Sequence, residues 1–117
     1  MDSILTSIKQ LLGIGADYAH FDESVIMHIN SVFFTLKQLG VGPVKGFRIQ
    51  DDSEVWEDFL SEEESIEAVK SYMYLRVRLL FDSDSLSAAV VQSIKEQIAE
   101  YEWRFVEESR IAASTTE

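Results

Sequence analysis

A single proline interrupts this 117-residue chain, and glycine occurs only five times. A β-sandwich or barrel needs a turn signal roughly every 8–12 residues, which this sequence does not supply. The breakers instead gather at Gly13-Ile14-Gly15 and from Gly40 to Gly46. Elsewhere apolar residues recur at steps of three and four, the spacing that lines one face of a helix. The expected fold is all-α, a small bundle of about four to five helices with one long loop. Hydrophobic residues make up 46% of the chain, enough to build one core, and the length suits a single domain.

The first helix is expected over residues 3–12, with Ile4, Ile8 and Leu11 on one face, Asp2 or Ser3 as its cap and Gly13 as its stop. A second starts at Asp22, read as the N-cap, and ends at Gly40. Val25, Ile29, Val32, Leu36 and Leu39 form its stripe, Ile26 and Phe33 widen it, and Met27 and Phe34 lie off it. Residues 41–53 form the long loop, in which Phe47-Arg48-Ile49-Gln50 alternates apolar and polar like a short extended segment in need of a partner. Ser53 is expected to cap a short helix carrying Trp56, Phe59 and Leu60, and Ser65 a fourth helix ending near Phe81-Asp82-Ser83-Asp84. That fourth helix has Ile66, Val69, Met73 and Leu80 on one stripe and Tyr72, Leu75 and Leu79 on its neighbour, so it belongs at the centre of the core. The last helix is expected over residues 87–108 on a stripe of Val90, Ile94, Ile98, Tyr101 and Phe105. Residues 1–108 then make the domain, and residues 109–117 a flexible tail.

Charge is unevenly placed. The net charge is −11, and nine acidic residues with no basic one fall between Asp51 and Glu67: Asp51, Asp52, Glu54, Glu57, Asp58, Glu62, Glu63, Glu64 and Glu67. Such a chain repels free nucleic acid, whose affinity comes mainly from Lys and Arg, and anionic membranes for the same reason. The start lacks a basic, then apolar, leader pattern, and no apolar run approaches the roughly 20 residues that span a bilayer. Manufacture in a cytoplasm and no membrane partner are therefore expected.

No constellation for chemistry emerges. Cysteine is absent, which removes disulfides and thiolate metal sites. His20 and His28 are eight apart, not the four that puts two ligands on one helix face. Gly13-Ile14-Gly15 lacks the third glycine of a dinucleotide loop, Gly40-Val41-Gly42 lacks a phosphate-loop lysine, and the acidic run lacks the sixth-position glycine of a calcium loop. No catalytic residue, cofactor or metal is expected. Trp56 is open to a core or an interface role. Trp103 points away from the stripe of Tyr101 and Phe105, which suits a contact with another chain.

Several segments in order carry a likeness: Phe21-Asp22 to Ile29-Asn30, Gln38-Leu39-Gly40-Val41-Gly42-Pro43, Trp56-Glu57-Asp58-Phe59-Leu60, Tyr72-Met73-Tyr74-Leu75-Arg76-Val77-Arg78-Leu79-Leu80-Phe81-Asp82, and Glu100-Tyr101-Glu102-Trp103-Arg104. Over roughly residues 2–106 the chain resembles the head–tail connector (adaptor, head-completion) proteins of siphophages, with Ser83-Asp84 where many relatives have a proline. The resemblance implies a structural virion protein at the head–tail junction, assembled in the host cytoplasm. It implies a ring of identical copies, usually twelvefold, that docks on the portal, extends the DNA channel and receives the next neck or tail protein, with DNA only as passing cargo. By matching position, Trp103, Arg104, Phe105, Arg110 and Ile111 would dock on the portal. Phe47, Arg48, Ile49, Asp51 and Asp52 would serve ring or channel contacts, and Glu54, Glu57, Asp58, Glu62, Glu63 and Glu64 form an acidic surface suited to a lumen that repels DNA. The alternative is an acidic DNA mimic or regulatory inhibitor, its acidic run standing in for phosphates on a basic host protein.

Overall fold

The computed structural model describes residues 3–115, with the side chains of 63, 64 and 113–115 outside that description. Five helices follow one another: α1 (Ile4–Leu11), α2 (Asp22–Gln38), α3 (Trp56–Phe59), α4 (Glu63–Asp82) and α5 (Ala88–Thr115), with a 3-10 turn at Ser83–Ser85. Among the described residues there is no strand, only one isolated antiparallel bridge between Ser3 and Val55. α4 is the central element and packs on α1, α2 and α5. The molecule is flattened, 48 × 35 × 20 Å.

α1 and α2 stop in the same way. Gly13 and Gly40 sit at φ 83° and 85°. After α1 the Gly13 and Ile14 amides donate to the carbonyls of Gln10 and Lys9; after α2 the Gly40 and Val41 amides donate to those of Lys37 and Leu36. These paired bonds close the last turn of each helix on a left-handed residue.

Helix starts depart from expectation. Ser3 does cap α1, accepting from the Thr6 amide at 3.2 Å, while Asp2 lies outside the described residues. Asp22 is the first residue of α2 rather than its cap, because its carboxylate is engaged by Lys9 at 2.7 Å. The Lys9 ammonium is buried and also donates to the Ala16 and Tyr18 carbonyls, at 3.2 and 2.9 Å. One ion pair and two hydrogen bonds thus compensate the buried cation, and they tie the loop of residues 12–21 to α1. Ser53 does not cap α3. It donates from both amide and hydroxyl to Asp51, and the α3 entry is closed by Asp58, which accepts from the Val55 amide at 3.0 Å. Ser65 lies inside the first turn of α4 and donates to Glu62.

The core follows the helical stripes with four corrections. Val25, Ile29, Val32, Phe33 and Leu36 of α2, Ile66, Val69, Tyr72, Met73, Leu75 and Val77 of α4, and Ile94, Ile98 and Phe105 of α5 are buried. Each such side chain contributes about 1.5–3 kcal/mol of burial. Leu11, Leu80 and Val90, placed on the stripes by spacing, are exposed. Val77, one helical step from Met73, takes Leu80's place. The fourth correction concerns the loop. Residues 47–50 form no strand, and Ile49 is fully buried. Asn30 of α2 holds its main chain like a strand neighbour, accepting from the Ile49 amide at 2.8 Å and donating to its carbonyl at 3.0 Å. The end of the chain is also different: α5 runs on without a break through residues 109–115, which spacing had assigned to a tail.

Candidate docking surfaces

Three surfaces carry the residues singled out from the sequence. The first is the outer face of α5. Trp103 is 65% exposed, and Val106 and Ile111 are exposed as well. Trp103, Val106 and Arg110 lie within one side of the helix, because offsets of three and seven residues return to nearly the same angle. The opposite side carries Ile94, Ile98 and Phe105 into the core. Arg104 pairs with Glu100 at 2.6 Å and Arg110 with Glu107 at 2.9 Å. Hydrogen bonding from Arg110 holds the Glu107 carboxyl below its usual range. Of the five residues assigned to docking, Trp103, Arg104, Arg110 and Ile111 are on the surface. Phe105 is not: it is buried edge-on against Tyr72, ring centroids 5.3 Å apart.

This half of α5 is fixed from behind. Glu102 accepts from the Tyr72 hydroxyl and from Arg76, both at 2.8 Å, which ties α5 to α4. Burial, then the hydrogen bond to Glu102, raises the Tyr72 phenol well above its ordinary value. Spacing had put Glu102 on the polar face; only its partners on α4 distinguish it from its neighbours. Further along, the Ser109 side chain packs onto Gly40, where a methyl group would collide with it. A groove of about 530 Å³ opens there, bounded by Val41, Leu60, Tyr101, Arg104 and Ala112.

The second surface is the loop after α2. Arg48, Asp51 and Asp52 are exposed, whereas Ile49 is core and Phe47 packs half-buried on Phe33 and Phe59, with centroids 5.1 and 5.4 Å apart. Trp56 resolves to the core: it is 2% exposed, and its indole donates to the buried Ser7 hydroxyl at 2.8 Å.

The third surface is the acidic run. Asp51, Asp52, Glu57, Asp58 and Glu62 are exposed and Glu54 is half-buried; the side chains of Glu63 and Glu64 lie outside the description. Some of these acids have a local task. Glu54 accepts from the Gln50 and Asp51 amides, Asp58 closes α3, and hydrogen bonds from Ser53 hold the Asp51 carboxyl below its usual range. An acid that caps a turn reads in the sequence like one that only charges a surface.

Among the described residues no group of three or more His, Cys, Asp or Glu side chains is placed to hold a metal ion, and no helix is long and apolar enough to cross a membrane. His20 lies exposed beside Phe21, and His28 is partly buried, which lowers its pKa. A protein-family model described as "Phage connector protein" matches residues 4–110, which takes in all five helices apart from the last residues of α5. Neither the curated proteins nor the solved structures yield a match.

Proposed function

The chain belongs to the phage connector protein family, a family of structural virion components, and from that membership we propose that it forms a ring at the head–tail junction, docked on the portal through the outer face of α5. The observation that carries the docking assignment is Trp103. An indole 65% exposed on a regular helix, flanked by Val106 and by two arginines, is the composition of an interface anchor. Burying it on a partner removes apolar surface from water and leaves Arg104 and Arg110 at the rim. Phe105 positions this face from inside the core and makes no contact with the portal.

In the ring, Arg48, Asp51 and Asp52 face a neighbouring copy or the channel, with Ile49 and Phe47 anchoring their loop. The chain's net charge of −11 gives the lumen a negative field, so that DNA passes without adhering. The tail-side end receives the next neck or tail protein.

Purified protein mixed with its candidate portal and imaged by negative stain tests this reading. Rings coaxial with the portal are expected, and Trp103→Ala should lose them while keeping its helical signal and melting midpoint. A monomer that ignores the portal at high concentration, yet captures a basic DNA-binding host protein, would replace the connector reading with the acidic inhibitor.

A further inference from the structure

One groove runs against the charge of the whole molecule. It lies between the outer side of α2 and the following loop, has a volume of about 620 Å³, and is bounded by Met27, Phe34, Lys37, Lys45 and Arg48 over a floor of Phe33 and Phe47. The chain has 21 acidic and only 10 basic residues, so a cation here would ordinarily find an acid. Lys9, Arg76, Arg104 and Arg110 all do. Lys37, Lys45, Arg48, Arg78 and Lys95 make no ion pair among the described residues, and the first three of these share one groove. Arg48 and Asp51 are three residues apart in one loop, and the Asn30 clamp on Ile49 fixes the backbone between them without an ion pair forming.

The groove is built rather than incidental. Gly46 adopts φ 88°, a conformation that L side chains rarely take, and the Lys37 stem lies across it, with Cδ 3.3 Å from where a β-carbon would stand. Met27 and Phe34, seven apart on α2, are 62% and 60% exposed beside the cations. Three cations in one groove suit an acidic segment.

We propose that this groove receives the acidic segment 51–67 of a second copy of the chain, making the contact between neighbours in the ring. The occupant follows from charge complementarity. That segment holds nine acids and no base, and its exposed Asp52 and Glu57 have no ion-pair partner among the described residues. In a ring the groove of each copy takes the segment of the next, a head-to-tail contact of the type that closes when the rotation between copies allows it. The inference rests on the ring reading and names its interface. Like other contacts between exposed charges, it should weaken as salt rises.

The chain has no cysteine, which allows a clean test. Lys45→Cys protein and Glu57→Cys protein are mixed with portal, treated with a short bismaleimide and run on a denaturing gel. In parallel, Lys37→Glu/Lys45→Glu/Arg48→Glu is imaged on the portal alone and mixed with Asp52→Lys/Glu57→Lys protein. Melting curves confirm that each variant is folded. The expected result is a cross-linked dimer only when both cysteine proteins are present, a loss of rings of tenfold or more with the reversed groove, and partial return of rings in the mixture. Wild-type rings without the cross-link, or rings unaffected by the reversed groove, would overturn the groove assignment and leave the ring reading standing. Intact rings that fail only to recruit the next neck protein would assign the groove to that protein and overturn the proposal. No wild-type ring on the portal would overturn both.

Discussion

The loop that folds back from α2 to α3 and the outer half of α5 invert the usual relation between regular backbone and burial. The loop has no repeating structure, yet Ile49 is buried, as is Trp56 where the loop enters α3, and Phe33, Phe47 and Phe59 meet ring to ring around it, with centroids 4.7–5.4 Å apart. Its backbone groups are bonded to side chains: Ile49 to Asn30, Gln50 and Asp51 to Glu54, Val55 to Asp58. The last turns of α5 are regular, yet Trp103, Val106 and Ile111 face outward. Irregular backbone can be buried only when its polar groups find partners, whereas a helix satisfies its own and is free to project. The loop is therefore where stability should be most sensitive, and the helix end where assembly should be.

The largest expected loss is at Trp56. Trp56→Ala empties a buried indole site and removes the donor to Ser7, at a cost of about 3–5 kcal/mol, read by urea denaturation. A cost near zero would mean that the junction of the loop with α3 does not belong to the core. Asn30→Ala comes next, because it orphans both main-chain groups of the buried Ile49; a loss of roughly 2–3 kcal/mol is expected from the same measurement. Should Asn30→Ala prove silent, water must replace the clamp, and the loop would join the surface side of the comparison.

A smaller effect depends on pH. Tyr72 is buried and hydrogen-bonded to Glu102, so its phenol titrates higher in the folded protein than in the unfolded chain. The raised value means that its contribution is complete below the unfolded pKa of about 10 and is lost as pH rises from there toward the folded value. Tyr72→Phe should flatten the alkaline limb of a stability–pH profile and leave the neutral region little changed in slope. An unaltered alkaline limb would place that sensitivity elsewhere. The smallest expected change in stability is at Trp103: Trp103→Ala should alter unfolding free energy by no more than about 0.5 kcal/mol, as substitutions away from buried features do.

The helices were legible because they rest on local signals. The 3.6-residue stripe, and the glycines after α1 and α2, act within a few residues of where they are written. The central place of α4 followed from apolar residues around most of its circumference. What stayed hidden depends on partners distant in sequence. Ser7 and Trp56 are 49 residues apart, Glu102 and Tyr72 30, and Asn30 and Ile49 19. Nothing near Lys9 marks it as buried, because Asp22 and two loop carbonyls make it so. The same limit explains the loop. Alternation at Phe47 to Gln50 does reflect one side turned inward, since Ile49 is core and Arg48 is exposed, but a side chain of α2 fills the role given to another strand. On α5 the outward face was readable, because Trp103 lies opposite the stripe that packs. Phe105, assigned to the same surface by its position in the family pattern, belongs to that stripe.

The comparison turns most directly on imaging Trp103→Ala and wild-type protein side by side on the portal, with melting midpoints measured on the same preparations. The account predicts matching midpoints, coaxial rings for the wild type and bare portals for the variant. Rings of undiminished number with Trp103→Ala would contradict it, and would show that the outer face of α5 is not the docking surface.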